Sequence, residues 1–413
     1  MTRYDSYKDS GIIWVGQTPQ HWSEQKIKFL FKEKKSTPNL SLNCGSISFG
    51  RVVFKDDDSI PSSRKETYQE VLDGEFLINP LNLNYDLKSL RIARSDKNVV
   101  VSPGYMVLQL QRQSDPKFFE FLLHVFDTEH MKSLGSGVRQ TISFSHLKAE
   151  RLPLPPIDEQ RKIGQYLDKK TTLIDSLIQK TGRKVELLKE KRTSLINQVV
   201  TKGLNPDVEM KDSGIEWIGG IPSHWGVTKY KYHFRIKGGF PFDSELITKD
   251  PTEFPIIRIG NVTSGEIDVY YLGELSEKIP VVEKGDYVIS LTGDFNIRRW
   301  ERKTALLNQR CGLVVPLGGL DRRYLFYLLP QSFSVLEETK YFTTLKNLSN
   351  SEVEDIEMCC PSLQEQEQIV EYLDEQTSII DSTIATEEDR IELLKEYRQS
   401  LISEAVTGKI KVS

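Results

Sequence analysis

Two sets of basic, amide and hydroxyl side chains occur in polar loops of this sequence, and their chemistry suits hydrogen bonding to nucleic acid. Arginine recognises guanine and asparagine or glutamine recognises adenine in the major groove, while lysine, serine and threonine bind phosphates. These sets predict DNA contact, with ordinary surface loops as the alternative interpretation. The first set is Asn82, Asn84, Lys88, Arg91, Arg94, Arg139, Gln140, Thr141 and Ser143. The second set is Thr292, Asn296, Arg298, Arg299, Arg302, Thr343, Thr344, Lys346 and Asn347.

The sequence carries none of the common catalytic or phosphate-binding motifs. It has no GxxxxGK(S/T) loop, no HExxH, no GxSxG and no GxGxxG that would open a helix after a strand. Residues 79–82 superficially resemble the N-P-P-aromatic motif of amino-methyltransferases, but they lack the second proline and the aromatic residue. We therefore expect a chain that is not an enzyme and has no catalytic residues.

Candidate metal ligands are sparse. Asp56, Asp57 and Asp58 are consecutive, but a solvated turn accounts for them better than a metal site. His21 and His224 occupy equivalent positions of a repeated motif, and neither has a second ligand at a spacing that suits a metal. We expect packed or surface histidines, no metal site and no cofactor in this chain.

Composition limits the class of protein. The chain has 413 residues, enough for two or three domains, and a net charge of −4. That charge excludes a uniformly basic DNA-coating protein, so any nucleic-acid surface must be local. The four cysteines lack CxxC spacing, and no signal peptide or apolar run of about 20 residues is evident. These features predict reduced thiols and a cytoplasmic location without membrane association.

An internal repeat organises the sequence. The pattern KDSGIxWxGxxPxHW begins at Lys8 and again at Lys211. Glycine and proline favour turns and tryptophan favours packing, so each copy is predicted to form a turn-rich lid on a domain. A repeat on this scale predicts two halves, each with a globular segment followed by a long helix.

The two long helices are themselves copies of each other. Residues of the first recur 206 positions later in the second, from Gln160 and Gln366 to the ELLKE sequences that begin at Glu186 and Glu392. The first runs over residues 157–202, which makes it roughly 65 Å long at 1.5 Å per residue. Such a length exceeds the interior of one ordinary domain.

Apolar residues at heptad spacing form a coiled-coil seam along each helix, and such a seam needs a partner helix. Arg192 and Arg398 are equivalent polar seam positions, which lower stability but can fix the register of pairing. The predicted seam consists of Leu167, Ile174, Ile178, Val185, Leu188, Leu195, Leu373, Ile380, Ile384, Ile391, Leu394 and Leu401.

The globular segments share an order of elements but differ in residues. In the first, residues 45–54 predict a strand or hairpin, residues 98–110 two strands and residues 117–130 a helix. The helices match closely while these segments differ, so the two segments are predicted to act in the same way on different targets. The predicted boundaries are a globular segment at 1–156, a helix at 157–202, a globular segment at 203–361, a helix at 362–408 and a tail at 409–413.

This organisation resembles the specificity subunit of a type I restriction–modification system. The features that carry the resemblance are the duplicated WxGxxPxHW, the proline-rich helix entries with Glu159-Gln160 and Glu365-Gln366, and the duplicated ELLKE…SLI helices. The resemblance covers essentially the whole chain. It implies an α+β fold in which two target-recognition domains are joined by two long antiparallel coiled-coil helices in an internal pseudo-twofold repeat.

The resemblance also implies a function and partners. Each domain would read one half of a bipartite site on double-stranded DNA, and the helices would set the spacing. Two modification (methyltransferase) subunits would bind mainly around the helices and carry S-adenosylmethionine for adenine N6 methylation. Restriction subunits would supply translocase and nuclease activity with ATP and magnesium. The chain itself would be non-catalytic.

Two other classes of protein remain open at this point. One is the specificity segment of a fused methyltransferase–nuclease, against which the lack of a methyltransferase core argues. The other is a coiled-coil scaffold whose globular domains bind proteins. Binding to random duplex DNA separates a DNA reader from such a scaffold.

Overall fold

The computed structural model describes residues 2–57, 60–81, 90–111, 114–134, 141–293, 295–340 and 347–412. It forms two compact units, of which unit 1 is Met1–Arg183 with Glu388–Ser413 and unit 2 is Lys184–Glu387. Each unit therefore combines one globular segment with part of each long helix. Our sequence-based boundaries separate helices from globular segments, whereas the compact units divide both helices between them.

Unit 1 contains twelve described strands and four short helices before the first long helix. The strands are β1 (Tyr7–Asp9), β2 (Gln17–Pro19), β3 (Ser23–Lys26), β4 (Phe31–Glu33), β5 (Gly45–Ser48), β6 (Arg51–Phe54), β7 (Gln69–Val71), β8 (Phe76–Ile78), β9 (Ile92–Arg94), β10 (Val99–Val101), β11 (Met106–Leu110) and β12 (Arg151–Leu154). The helices are α1 (Ile27–Leu30), α2 (Ser62–Lys65), α3 (Pro116–Glu129), α4 (Phe144–Leu147) and the long α5 (Ile157–Lys202).

A four-stranded antiparallel sheet in the order β4-β11-β8-β9 forms the centre of unit 1. Side chains alternate between the two faces of a strand, so each strand serves two cores. On β8, Phe76 and Ile78 belong to the cluster that includes α3 and α5, while Leu77 joins a second cluster with Val99 and Val107. The sheet is thus covered on both faces.

Unit 2 repeats this plan. Its strands are β13 (Met210–Asp212), β14 (Gly220–Pro222), β15 (Gly226–Lys229), β16 (Phe234–Gly238), β17 (Ile247–Thr248), β18 (Ile256–Ile257), β19 (Tyr270–Tyr271), β20 (Val281–Val282), β21 (Tyr287–Ser290), β22 (Ile297–Arg299), β23 (Ala305–Leu307), β24 (Cys311–Pro316) and β25 (Glu357–Cys360). Its helices are α6 (Ile259–Ser264), α7 (Arg322–Lys340), α8 (Asn350–Glu354) and the long α9 (Leu363–Val406). The central sheet has the order β16-β24-β21-β22, which matches that of unit 1.

Within each unit, segments of α5 and α9 pack against each other in antiparallel order. In unit 1, Arg398 Nε donates to Asp175 Oδ1 at 2.8 Å. In unit 2, Lys184 Nζ donates to Glu387 Oε1 at 2.6 Å and Arg192 Nε donates to Asp381 Oδ1 at 2.8 Å. The polar seam arginines are therefore paired with aspartates at equivalent positions of the two helices. The predicted α+β class with long antiparallel helices is confirmed.

All twelve predicted seam residues are buried or half-buried in the structure. Towards the helix ends, burial extends beyond the seam because the helices enter the globular cores. In unit 2, Ile196 and Val200 of α5 and Ile369 of α9 belong to the cluster that contains the central sheet. Each helix is consequently both a coiled-coil strand and a core element of a domain.

A buried glutamine joins the first turn of each long helix to its globular segment. In unit 1, the N–H of Asp115 donates to Gln160 Oε1 at 3.0 Å and Gln160 Nε2 donates to the carbonyl of Pro155 at 2.9 Å. In unit 2, the N–H of Asp321 donates to Gln366 Oε1 at 2.7 Å. These amides satisfy main-chain groups at the N-termini of α3 and α7, which would otherwise be buried without partners.

The predicted lids cover the C-terminal ends of the long helices. Gly203 follows α5 with φ +74° and faces Trp225 of the second lid. Gly408 follows α9 with φ +76° and faces Pro19 and Trp22 of the first lid. A left-handed glycine is a common helix terminator, and here its missing side chain also admits the lid.

The structure leaves the cysteines as free thiols, with Cys44, Cys311 and Cys359 buried. Burial raises the pKa of Cys311 and of Cys359 to about 12. Among the described residues, no helix is both long and apolar enough to cross a bilayer.

Two glycines of α5 give a matched test of its packing. An alanine Cβ at Gly164 would lie 2.7 Å from Asp115 Oδ1 and 3.0 Å from the backbone nitrogen of Phe118, whereas one at Gly182 meets nothing within 4 Å. Alanine favours a helix interior over glycine by about 1 kcal/mol. We expect Gly182→Ala to raise the free energy of unfolding by about 1 kcal/mol. Gly164→Ala should lower it by about 1–3 kcal/mol through overpacking.

Urea unfolding of the full chain, followed by circular dichroism, measures both effects. An equal gain in stability from the two substitutions would show that α3 does not restrict α5 at Gly164.

Candidate nucleic-acid interface

In unit 1, main-chain hydrogen bonds bring two separate predicted segments to the end of the central sheet. The N–H of Asn79 donates to the carbonyl of Arg91 at 2.8 Å and closes the connection between β8 and β9. The N–H of Ile142 donates to the carbonyl of Pro80 at 3.1 Å, which places Thr141 beside that connection. Residues more than 50 positions apart thus share one edge of the sheet.

Unit 2 has the same arrangement. The N–H of Leu348 donates to the carbonyl of Leu291 at 2.8 Å. Thr292 and Asn347, both predicted to contact DNA, form an isolated antiparallel bridge. Asn296 lies in the connection between β21 and β22, and its N–H donates to Ser290 Oγ at 2.7 Å. Thr292, Asn296 and Asn347 of the second set therefore converge as Arg91 and Thr141 of the first set do.

A third segment adjoins this edge in each unit, and neither set of predicted DNA contacts included it. In unit 1 it is the β5–β6 hairpin, where a Cβ at Gly50 would lie 2.7 Å from Leu90 Cδ1. In unit 2 it is α6, which Arg298 of β22 contacts. Both segments follow a chain stretch that pairs in parallel with an equivalent strand, at Cys44 in unit 1 and at β18 in unit 2. The two units thus share the central sheet and this parallel pairing, which together form a common frame. They differ in the inserted segment, which is a hairpin in unit 1 and a helix in unit 2.

Several predicted arginines are engaged within their own unit. Arg94 Nη1 donates to Glu120 Oε2 of α3 at 3.3 Å, and its side chain is 21% exposed. Arg298 Nε donates to the carbonyl of Val262 at 2.6 Å, and its Nη2 donates to the carbonyl of Thr263. Arg298 thereby closes the C-terminus of α6, where carbonyls lack intrahelical partners. These guanidinium groups therefore link neighbouring elements within each unit.

The remaining described basic residues are more accessible. Arg299 is 3.1 Å from Glu301 and about half-exposed, and such surface pairs contribute little stability. Arg302 is exposed. Arg91 Nη1 donates to the carbonyl of Leu81 at 3.3 Å from a half-buried position.

The polar residues are divided in the same way. Ser143 is exposed and caps α4 in a capping box with His146. Asn296 Nδ2 donates to Thr263 Oγ1 at 3.3 Å. The structure therefore brings Arg91, Thr141 and Ser143 together in unit 1. In unit 2 it brings together Thr292, Asn296 and Asn347. Arg94, Arg299 and Arg302 lie at or beyond the other end of β9 and β22, and Arg298 acts as a support. The other predicted residues lie outside the described part of the chain, namely Asn82, Asn84, Lys88, Arg139, Gln140, Thr343, Thr344 and Lys346.

Asp127 of α3 anchors the start of β9 from inside the core. It is fully buried, and its Oδ2 accepts the N–H of Ile92 at 3.0 Å and the N–H of Arg91. Burial raises the pKa of Asp127 to about 6, and the two backbone donors oppose that rise only in part. Asp127 therefore fixes the main chain at the start of β9, where the predicted contacts of unit 1 begin. In the sequence, the sign of this anchoring role is an acidic residue within an apolar helix.

The lid histidines contact carboxylates on the surface. His21 Nε2 is 2.8 Å from Glu159 Oε2, and His224 Nε2 is 3.1 Å from Glu365 Oε2. Glu159 also accepts the hydroxyl of Tyr4, and burial and this carboxylate raise the pKa of that hydroxyl. Across the described residues, no group of three or more His, Cys, Asp or Glu is placed to hold a metal ion. The lids thus fasten the N-termini of the long helices.

Asp57 has a structural role as well. It accepts the N–H of Cys44 at 2.7 Å and Lys65 Nζ at 2.6 Å. The Lys65 ammonium and the Cys44 amide lower the pKa of Asp57 to about 2. The carboxylate fixes the entry to the β5–β6 hairpin.

The hairpin tip is strained and exposed. Its two-residue loop, Phe49-Gly50, has φ +47° and φ +72°, the sign pattern of a type I′ turn. Asn-Gly is favoured at such turns, and a bulky residue in the left-handed region costs about 1–2 kcal/mol. Phe49 is nevertheless 89% exposed, so its ring regains little of that cost by packing.

Comparison with known proteins identifies the family. The family model for the "Type I restriction modification DNA specificity domain" matches residues 83–187 and 222–396. The two matches cover more than half of the chain. Each begins in a globular segment and extends into the long helix that follows it.

Two relatives resemble the chain over different lengths. It is 32% identical over 203 residues to the type I restriction enzyme EcoBI specificity subunit of Escherichia coli, which covers 49% of this chain and 43% of that protein. The match thus spans less than half the length of that relative. It is 25% identical over 420 residues to the putative type I restriction enzyme MjaX specificity subunit of Methanocaldococcus jannaschii, covering 96% of each.

A solved structure shares the fold. A chain of a type I R-M system, studied for its complex assembly and conformational transition, superposes with a TM-score of 0.72 at 16% identity. The superposition covers 95% of this chain and 99% of that one.

The anchoring role of Asp127 predicts a pH dependence. The folded pKa of about 6 exceeds the ordinary value of 3.8, so the folded state binds the proton more tightly. The free energy of unfolding therefore falls as pH rises through this interval, by about 3 kcal/mol at ~1.4 kcal/mol per pKa unit. Asp127→Asn lacks this titration. We expect the stability of the wild type relative to the variant to decline between pH 4.5 and 6.5 and to level off above.

Urea unfolding of both proteins from pH 4.5 to 7.5 measures the difference. A difference that stays constant with pH would contradict a raised pKa at Asp127.

Proposed function

This chain belongs to the family of type I restriction–modification DNA specificity proteins, and from that premise we propose that it selects the DNA site for such a system. Each globular segment binds one half of a bipartite site on double-stranded DNA. The chain is non-catalytic and leaves methylation and cleavage to partner subunits.

One observation carries this proposal. In each unit, hydrogen-bonding segments that are distant in sequence converge at the same edge of an equivalent sheet. The supporting bonds are between main-chain groups, while the side chains around them differ between the units. A fixed frame with variable polar side chains suits two readers of different base sequences, since base-edge contacts specify and phosphate contacts position.

Apolar residues exposed beside the seam support a further part of the proposal. Leu173 and Ile379 are 56% and 54% exposed, and Leu187 and Leu393 are 48% and 66% exposed. In each helix these two residues are two heptads apart, and the pairs are equivalent in the repeat. Exposed apolar residues at heptad spacing suit packing against additional helices. We propose that two modification subunits bind the long helices through these residues.

We propose the remaining partners and cofactors by analogy with the family. S-adenosylmethionine is expected on the modification subunits, and ATP with magnesium on restriction subunits that act as translocase and nuclease. These subunits work on DNA, so we propose a cytoplasmic site of action. The long helices set the gap between the half-sites, because a paired helix resists bending and compression.

A scaffold with protein-binding domains is the second candidate. Its support is the same set of exposed apolar residues, which suits a protein partner whether or not DNA is bound. The candidates differ in whether the chain determines a DNA sequence.

Mapping of adenine methylation tests the main proposal. The chain is co-expressed with a modification subunit encoded beside it, and single-molecule sequencing records N6-methyladenine with and without the chain. We expect a split motif with a fixed gap that is methylated only when the chain is present. Methylation that is independent of the chain, from a partner shown to be active, would favour the scaffold.

The same mapping tests the spacing. One heptad inserted into each long helix at the same level adds about 10 Å, or about three base pairs. Both half-sites should persist while the gap changes. An unaltered gap would remove the helices as its determinant.

The double variant Leu173→Gln/Ile379→Gln tests the binding of modification subunits. Burying each leucine or isoleucine contributes about 1.5–3 kcal/mol, so we expect affinity to fall by at least about a hundredfold. Thermal stability should stay the same because both residues are exposed. Leu272→Gln is the control, since Leu272 is 58% exposed in the globular part of unit 2. Affinities come from calorimetric titration, and equal loss in control and test variants would dismiss a specific role.

A further inference from the structure

Phe49 combines three features that folding alone does not explain. Its ring is 89% exposed, its φ is +47°, and it occupies the tip of a two-residue hairpin loop between Ser48 and Arg51. Residues in disfavoured backbone regions persist where the surrounding structure fixes them, and such sites are frequently functional.

The surrounding structure does fix this tip. Gly50 packs so closely on Leu90 that a Cβ there would lie 2.7 Å from Leu90 Cδ1. At the other end of the hairpin, Asp57 holds the N–H of Cys44. The hairpin is thus held against the start of the segment that leads into Arg91 and β9. Phe49 is presented beside the edge where the predicted DNA contacts of unit 1 converge.

Aromatic and basic side chains occur along the hairpin that carries Phe49, with Arg51 next to its tip and Phe54 at its base. The side chain of Arg51 is 80% exposed, and its Nη2 lies 3.9 Å from Asp175 Oδ2. Phe54 is 56% exposed, and Lys97 Nζ lies 5.6 Å from its ring centroid. Lys55 is also exposed. Aromatic rings interspersed with cations suit a polyanion whose bases can stack on the rings.

The equivalent insert of unit 2 is different in kind. There α6 takes the place of the hairpin, and its end is closed by Arg298 and by Gly265 at φ +75°. It carries Thr263 and Ser264 and presents no apolar tip. Among the described residues, the exposed apolar tip at this place in the fold is present in unit 1 and absent from α6 of unit 2.

We propose that Phe49 is a wedge that enters the DNA bound by unit 1 and unstacks a base step. This inference rests on the proposed recognition of DNA. Apolar side chains that are inserted between base steps kink the duplex and allow it to contact more protein surface. Arg51 beside Phe49 would hold a flanking phosphate, and the rigid tip would keep the ring at one position along the site.

Affinity measurements separate a wedge from an electrostatic contact. The probe is a fluorescein-labelled duplex that contains the mapped methylation site, bound by the full chain co-expressed with its modification subunits. Phe49→Asn should weaken binding about tenfold and leave the slope of log K against log salt unchanged, because no counterion is released by a phenyl ring. Arg51→Gln should reduce that slope by about 0.9 if its guanidinium meets one phosphate.

Stability and binding should move in opposite directions for this substitution. Asparagine suits the first position of a type I′ turn, so Phe49→Asn should raise the melting temperature by about 2–4 °C while it weakens binding. Phe49→Trp should retain binding. Phe29→Asn serves as the matched control, since Phe29 is 57% exposed on α1 and should affect neither salt slope nor affinity.

Permanganate footprinting and crosslinking identify what Phe49 contacts. Thymines made reactive by the wild-type complex but not by Phe49→Asn would report the unstacked step. A p-benzoylphenylalanine at position 49 should crosslink to the duplex, and one at position 29 should not. Crosslinking to the modification subunit instead, or unchanged affinity and footprint in Phe49→Asn, would overturn the wedge. If the wild-type complex itself binds no duplex, the proposed function fails rather than this inference alone.

Discussion

Each long helix can bury its apolar seam only against the other, and both units depend on that pairing. In unit 1 the contact is fixed by Asp175 and Arg398, and in unit 2 by the equivalent pair Asp381 and Arg192. A polar contact at a seam is a weak source of stability but a strong constraint on register, because a slip leaves a partly buried charge unpaired. The same helices then end inside the globular cores. Register of the pair and position of each sheet are therefore linked within a unit.

The sheet in turn holds the candidate interface through the main chain. Ile142 and Leu348 each donate their N–H to a carbonyl at the end of the sheet, at Pro80 and Leu291. Such bonds do not depend on which side chains the segments carry. The residues at this edge can differ completely between the units while the segments stay in place. This separation of frame from contact surface explains how one architecture can serve two different recognition surfaces.

The periodic parts of the fold were predictable and the pairing of individual side chains was not. Helix α5 has the predicted bounds, Ile157–Lys202, because heptad spacing and the absence of proline are local signals. Residues 45–54, predicted to form a strand or a hairpin, form a hairpin. By contrast, Arg298 is engaged by carbonyls about 35 positions earlier in the chain, and Arg94 by Glu120 of another element. Those partners depend on tertiary packing, so a loop arginine looks the same in sequence whether it supports the surface or binds a ligand.

This distinction changes how the interface has to be interpreted. A guanidinium that closes the end of α6 cannot turn to a guanine without leaving the carbonyls of Val262 and Thr263. Val262 is buried, and an unpaired buried carbonyl costs about 1–3 kcal/mol. Loss of this guanidinium would weaken DNA binding by disturbing the surface, even if it touches no base. Phe49 is the opposite case. Its replacement by asparagine should relieve backbone strain and leave the main-chain hydrogen bonds of the hairpin intact. A residue whose side chain contributes so little to its own fold is better suited than Arg298 to report on a bound molecule. Residue type alone therefore does not reveal whether a side chain supports this surface or contacts a ligand. The interactions of each side chain in the free protein distinguish the two roles.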